Sequence, residues 1–222
     1  MYRETVFIIS KRKELSIKYK RCIEDVEKSV VITKELKDAL VAIQNLEPEI
    51  IIVSDSIEEN LADFCQKIRA LTFNFRPVIV ALSKSAEAND RICVLESGAD
   101  DFLSEPVNID EFKTRINAHL RRDIELNLDN KTLLPNKKLT EKSLKRLLSL
   151  ENQAVLLASL ENLENYKEIY TELASDKIIQ AFIAITKSTL SENDFIGQLD
   201  ETTFIIITSK YSAEKLAELL AK

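Results

Sequence analysis

The chain has 222 residues, enough for one large domain or two ordinary ones of about 100–150 residues each. Hydrophobic residues make up 45% and charged residues 31%, the balance of a folded globular protein rather than of a disordered segment. A net charge of −6 argues against a general nucleic-acid footprint. No apolar run approaches the roughly 20 residues of a bilayer span, and the N-terminus lacks a secretory leader pattern. The expectation is a cytoplasmic protein with neither nucleic acid nor membrane as a partner.

The scarcity of certain residues narrows the chemistry further. The only two glycines, Gly98 and Gly197, rule out Gly-rich phosphate loops. The single histidine, His119, leaves little material for hydrolytic triads or histidine metal sites, and its place late in a helix suggests a surface or packing role. Cys22, Cys65 and Cys93 form no Cys-x-x-Cys pair and read as buried free thiols of a reducing compartment. Neither a cofactor nor a metal is expected.

In chain order, Thr5–Ile9, Val30–Thr33, Ile50–Val53, Val78–Leu82 and Asp101–Leu103 read as strands rich in Val and Ile. The intervening segments have helical faces: Leu15/Tyr19/Cys22/Val26, Leu36/Ala39/Leu40/Ile43, Leu61/Phe64/Cys65/Ile68 and Ile92/Leu95. Near-continuous apolar strands alternating with helices predict a parallel sheet covered on both faces, with any site at the C-terminal strand ends. The basic residues Lys11, Arg12, Lys13, Lys18, Lys20 and Arg21 read as a solvated face of the first helix. A fifth helix begins near Asp110 with Phe112, Ile116 and Leu120 on one face, and Ile124 and Leu128 carry its spacing into a linker.

The second half differs in order. A helix over Leu139–Leu150, a strand over Ala154–Leu160, helices over Glu164–Leu173 and Asp176–Leu190, strands over Phe195–Leu199 and Thr202–Thr208, and a last helix over Ala213–Ala221 predict an α+β domain.

Arg76-Pro-Val-Ile-Val-Ala-Leu-Ser83, Leu95-Glu-Ser-Gly-Ala-Asp-Asp-Phe-Leu-Ser-Glu-Pro106, Pro48-Glu-Ile-Ile-Ile-Val53 and Phe64-Cys-Gln-Lys-Ile-Arg69 resemble the receiver domain of two-component response regulators. The resemblance implies a doubly wound (βα)5, flavodoxin-like fold. It also implies an acidic pair for Mg²⁺, a carboxylate that accepts a phosphoryl group, and a hydroxyl and a lysine that bind its oxygens. Matched position by position, the acidic pair falls on Ser10 and Lys11, the nucleophile on Ser54 with Asp55 beside it, the hydroxyl on Ser83 and the lysine on Glu105. Three of these changes oppose phosphoryl transfer. Asp55 is the one candidate phosphoacceptor left. The resemblance also suggests a cis Glu105–Pro106 bond and structural roles for Asp100 and Asp101.

Asp129-Asn-Lys-Thr-Leu-Leu-Pro-Asn136, Leu163-Glu-Asn-Tyr-Lys167 and Asp194-Phe-Ile-Gly-Gln-Leu-Asp-Glu-Thr-Thr-Phe-Ile-Ile-Ile207 are similar to GGDEF domains, which make cyclic di-GMP from GTP. That resemblance implies a smaller α+β, palm-like domain. Its signature has become Asp200-Glu201-Thr202-Thr203-Phe204, and Asn162 occupies a metal-binding aspartate position. The inhibitory Arg-x-x-Asp pattern becomes Ser191-Glu-Asn-Asp194, and Glu161, Glu164 and Glu168 read as a solvated helix entrance.

The expected layout is a receiver-like domain over 1–122, a helical linker over 123–130 and a degenerate, incomplete GGDEF-like domain over 131–222. The expected function is a non-catalytic signalling protein in a two-component or phosphorelay pathway, not an enzyme. It would act on an unknown signalling partner, with a homodimer through the fifth helix and linker, and nucleotide binding is not expected. The competing reading is a phosphorylatable regulator in which Asp55 controls a module that senses GTP or cyclic di-GMP.

Overall fold

The computed structural model describes residues 4–25, 28–85, 87–147 and 151–221. Contacts divide the chain into two compact units, Arg3–Asp123 and Ile124–Lys222. The first contains β1 (Glu4–Ile9), α1 (Lys13–Ile23), β2 (Lys28–Thr33), α2 (Leu36–Leu46) and β3 (Ile50–Ser54). It continues through α3 (Leu61–Leu71), β4 (Val78–Ser83), α4 (Ala88–Glu96) and β5 (Asp101–Ser104) into α5 (Ile109–Leu126), whose last residues pass the unit boundary.

The five strands are parallel in the order β2-β1-β3-β4-β5, the doubly wound arrangement expected from their apolar runs. Alternation along each strand divides the core in two. Phe7, Ile9, Ile51 and Val53 pack with Ala39 and Ile43 of α2 and Phe64, Cys65 and Ile68 of α3. Val6, Ile8, Ile50 and Ile52 pack with Tyr19 and Ile23 of α1 and Phe112, Ile116 and Leu120 of α5. The winding reverses between β1 and β3, so a crevice opens beyond the carboxyl ends of those two strands.

Helix ends follow local chemistry. Asn60 caps α3 by accepting from the Ala62 and Asp63 amides. Gly98 takes φ +111°, and a side chain there would press on Arg69. Arg69 in turn donates to the Gly98 and Pro77 carbonyls and pairs with Asp100. Asp100 also accepts from the Ile79 amide, which ties the turn to β4, and the Glu105–Pro106 bond is cis.

Two expectations about burial change. Ile92 and Leu95 of α4 are 52% and 37% exposed, and Val94 is the buried residue. Val94 lies about 200° around the helix from Ile92, a choice that spacing in so short a helix does not determine. Of the cysteines, only Cys65 is buried, whereas Cys22 is half-buried and Cys93 exposed. Val26, expected on the α1 face, lies outside the described residues.

The second unit contains α6 (Lys137–Leu147), β6 (Gln153–Ser159), α7 (Leu163–Ile169), α8 (Glu172–Thr189), β7 (Phe195–Gln198), β8 (Thr203–Ser209) and α9 (Lys210–Leu220). Residues 148–150, expected as the end of the first helix here, lie outside the described residues. The second long helix starts at Glu172 rather than Asp176 because the Thr171 hydroxyl accepts from the Ala174 amide and caps it. The sheet is antiparallel in the order β6-β8-β7. One face buries Phe204 and Ile206 with Leu163, Ile179, Ile183 and Leu216, and the other buries Phe195, Ile205 and Ile207 with Leu144 of α6. Gly197 is required where β7 meets α6, since a Cβ would collide with Thr140 Oγ1. Among the described residues, no helix is long and apolar enough to cross a membrane.

Candidate functional site

The crevice between β1 and β3 gathers most of the receiver positions named from the sequence. Ser10 follows β1 and its hydroxyl meets Ser56 Oγ at 3.1 Å. Ser54 and Asp55 lie at the end of β3, Ser83 ends β4 and Glu105 follows β5. The Asp55 carboxylate accepts from Ser83 Oγ at 3.0 Å and from the Lys84 amide at 2.5 Å. The carboxylate in the pocket therefore belongs to Asp55 rather than to the Ser54 position. The chain bends at the strand end, where the Asp55 amide donates to Leu82 O, and the one-residue offset is absorbed. Lys11 does not join them, because its ammonium pairs with Glu58 on the surface.

The residue that joins the cluster is Arg12, which the helical spacing places on a solvated face. Its guanidinium instead reaches across the crevice. Nη2 donates to Ser54 Oγ at 2.6 Å and to Asp55 Oδ1, and Nη1 pairs with Glu105 Oε2. The Glu105 side chain is only 5% exposed, so its charge needs a cation there. A receptor for phosphate with an anion in place of a lysine already calls for that cation, and this was the signal available in the sequence. Tyr19 completes the enclosure by donating to Glu105 Oε1 at 3.3 Å. Burial, reinforced by the neighbouring Glu105 carboxylate, pushes the Tyr19 hydroxyl pKa well above its ordinary value.

The receiver resemblance implies Mg²⁺, and these residues do not fit it. The ion takes oxygen ligands and is held mainly by carboxylates, whereas Ser10 and Lys11 supply a hydroxyl and a cation, and the two nearby carboxylates, Asp55 and Glu105, are both held by the Arg12 guanidinium. Among the described residues, no group of three or more His, Cys, Asp or Glu side chains is placed to hold a metal. His119 lies on α5, its Nε2 3.1 Å from Asp101 Oδ2.

In the second unit, the hairpin between β7 and β8 turns on Asp200. Its Oδ1 accepts from the Thr202 and Thr203 amides and from the Thr202 hydroxyl, and these bonds hold its pKa below the ordinary carboxylate value. A side-chain-stabilised turn thus stands where a glycine pair is expected. Glu201 pairs with Lys167 at 2.5 Å, Thr203 begins β8, and Phe204 is fully buried against Phe182. Asn162 precedes α7 at φ 61° without capping it through its side chain. Thr202, Thr203 and Asn162 offer no carboxylate for a metal.

Beside the hairpin lies a cleft of about 520 Å³ lined by Lys131, Asn136, Lys137, Asp176, Gln180 and Glu201, among others. Lys131 pairs there with Glu172 at 2.9 Å and Asp176 at 3.4 Å. Asp129 fastens the cleft's rim by accepting from the Lys131 and Thr132 amides.

Comparison with known proteins agrees with both halves. Residues 126–222 match the family model "Diguanylate cyclase, GGDEF domain". The chain is 42% identical over 65 residues to the response regulator GtcR of Aneurinibacillus migulanus, a match covering 29% of this chain and 27% of the relative. It is 36% identical over 88 residues to the KDP operon transcriptional regulatory protein KdpE of Escherichia coli K12, covering 39% and 38%. The chain therefore spans well under half of these relatives. Among solved structures, it resembles a two-component response regulator from Clostridium difficile (TM-score 0.50, 24% identity, covering 55% of this chain and 98% of that one). It also resembles the receiver domain of the Francisella response regulator 1452 (TM-score 0.50, 22% identity, covering 55% and 99%). At these identities the structural likeness carries the fold alone.

The first half thus has the fold of a receiver domain. Residues 126–222 match the GGDEF family model, so the chain has a receiver fold followed by a GGDEF-like domain. This corrects one expectation. The altered signature residues, taken alone, argue that the chain is not an enzyme, but residues 126–222 as a whole match a diguanylate cyclase domain, and a few side chains at one hairpin do not remove it from that family.

The Tyr19 environment generates a pH prediction. A phenol whose folded-state pKa is raised contributes stability below its unfolded value, about 10, and loses that contribution as pH rises through the folded value. Urea denaturation should show stability falling as pH rises above about 10, with a smaller fall in Tyr19→Phe.

Proposed function

We propose that this response regulator carries its signal through protein contacts, with Arg12 rather than Mg²⁺ neutralising the receiver pocket. The observation that carries the reading is the guanidinium shared between Asp55 and Glu105. A phosphoryl group on Asp55 would have to displace Arg12 and would meet the Glu105 carboxylate, with no acidic pair to hold the metal that offsets its charge. Displacing Arg12 would also leave the buried Glu105 carboxylate without its cation, which is costly. Surfaces suited to partner contact include exposed Ile92 and Leu95 of α4, and Ile124 and Leu126 of α5.

The direct test is intact-mass spectrometry of the full chain after incubation with acetyl phosphate and Mg²⁺. The expected result is no adduct. A Mg²⁺-dependent adduct that disappears in Asp55→Asn would contradict the reading and favour a phosphorylatable regulator.

A second reading applies to the GGDEF half, where the polar cleft beside the hairpin supports binding of a guanine nucleotide. Asp176, Asn136 and Gln180 bring hydrogen-bonding groups suited to a purine edge, and Lys137 brings a positive charge to a lining that also holds Asp129, Asp200 and Glu201. Calorimetry of the full chain with GTP and with cyclic di-GMP should show saturable binding of at least one, abolished by Asp176→Arg. No heat from either nucleotide would count against it.

A further inference from the structure

A cleft of about 390 Å³ opens in the first unit beside the Arg12–Glu105 pair, among α1, the residue after β4 and the segment that joins β5 to α5. Asp55 is not among its walls. The floor is apolar. Leu15 comes from α1, Val107 from the joining segment and Ile109 from the start of α5. All three are partly buried and pack against the core that contains Tyr19 and Phe112, whose rings stack with centroids 4.3 Å apart. The core therefore holds the floor in place, and the cleft is preformed. Its volume falls at the lower end of the roughly 300–1,000 Å³ usual for ligand pockets, which suits a small molecule.

The rim is basic. Lys18 of α1 and Lys84 after β4 reach the cleft from two separate segments, and both are exposed. Nearby lysines are already engaged, Lys11 by Glu58 and Lys20 by Glu24. Among the described residues, Lys18 and Lys84 pair with no carboxylate. The acidic wall, Glu105, has one oxygen bonded by Tyr19 and the other paired with Arg12. Three cations (Arg12, Lys18 and Lys84) stand against two carboxylates (Asp55 and Glu105), which leaves one positive charge in a chain of net charge −6. A shallower depression sharing Arg12, Leu15 and Lys18 adds Lys13 and Glu14, whose charges cancel.

We propose that this cleft binds a small organic monoanion, a carboxylate on an apolar body, with the carboxylate toward the lysine rim and the body on Leu15, Val107 and Ile109. Each lysine offers a compact point charge on a flexible stem, which suits a single negative charge. The apolar area removed from water supplies most of the affinity. A ligand seated there also touches Arg12, Tyr19 and Glu105, so occupancy of the cleft and the state of the Arg12–Glu105 pair are linked. The inference rests on the walls of the cleft and is independent of whether Asp55 accepts a phosphoryl group.

The test is titration calorimetry of the full chain with octanoate, octanol and inorganic phosphate. Octanoate should bind saturably with one-to-one stoichiometry. Octanol, which lacks the charge, should bind about tenfold more weakly, and phosphate, which lacks the apolar body, should give no saturable heat. Reversing a rim charge turns attraction into repulsion, so Lys18→Glu and Lys84→Glu should each weaken octanoate binding by about tenfold. Both lysines are exposed, so neither substitution disturbs the core. Lys37→Glu, on the exposed surface of α2, changes the net charge equally and should leave binding unchanged. No saturable heat from octanoate, octanol or phosphate binding as tightly as octanoate, or rim variants that bind as well as Lys37→Glu would overturn the proposal.

Discussion

A guanidinium held between two carboxylates sets the charge balance at the carboxyl edge of the parallel sheet. Arg12 follows β1, Asp55 follows β3 and Glu105 follows β5, so one side chain links three segments that meet only at this end of the fold. Ser83 and the Lys84 amide bind the other oxygen of Asp55, which extends the same network to the loop after β4. A receiver normally leaves this crevice negative so that a metal ion can enter and a phosphoryl group can follow. Here the protein supplies the cation itself. Where the receiver resemblance implies an acidic pair after β1 and a lysine after β5, this chain has Arg12 after β1 and Glu105 after β5, and the two are paired.

The second half shows comparable local substitution. Glycines in a tight hairpin relieve strain by tolerating positive φ, whereas Asp200 shapes its turn with three hydrogen bonds from Thr202 and Thr203. Lys167 neutralises Glu201, and Lys131 answers Glu172 and Asp176 across the cleft. These pairs are exposed, and surface ion pairs contribute little individually. Their importance is to define what charge an entering ligand meets. The family match across residues 126–222 and the changed hairpin describe one domain at different scales, and the cleft is where they meet chemically.

Much of this was legible from the residues. Five apolar strands separated by amphipathic segments specify the wound sheet because burial on both faces leaves no polar alternation to mistake. Likewise, Phe64, Cys65 and Ile68 face the core as their spacing requires. The site was legible only in part. Ser10, Ser83 and Glu105 fall where the resemblance puts them, yet Asp55 takes the place assigned to Ser54, since a strand end can bend where a strand interior cannot. Arg12 was hidden because helical periodicity describes a repeating face, and a residue just ahead of a helix does not belong to it. Ile92 and Leu95 were misassigned for a related reason. In the two and a half turns of α4, Gly98 and the contacts of Val94, rather than spacing, decide which face turns inward.

The most direct measurement is a double-mutant cycle for folding stability in urea, using Arg12→Ala, Glu105→Gln and the double variant. If the guanidinium neutralises Glu105 in the folded receiver, the two substitutions will be coupled by roughly 0.5–3 kcal/mol, with the double variant less destabilised than the sum of the singles. Additive effects, with coupling indistinguishable from zero, would show that Arg12 does not hold this pocket.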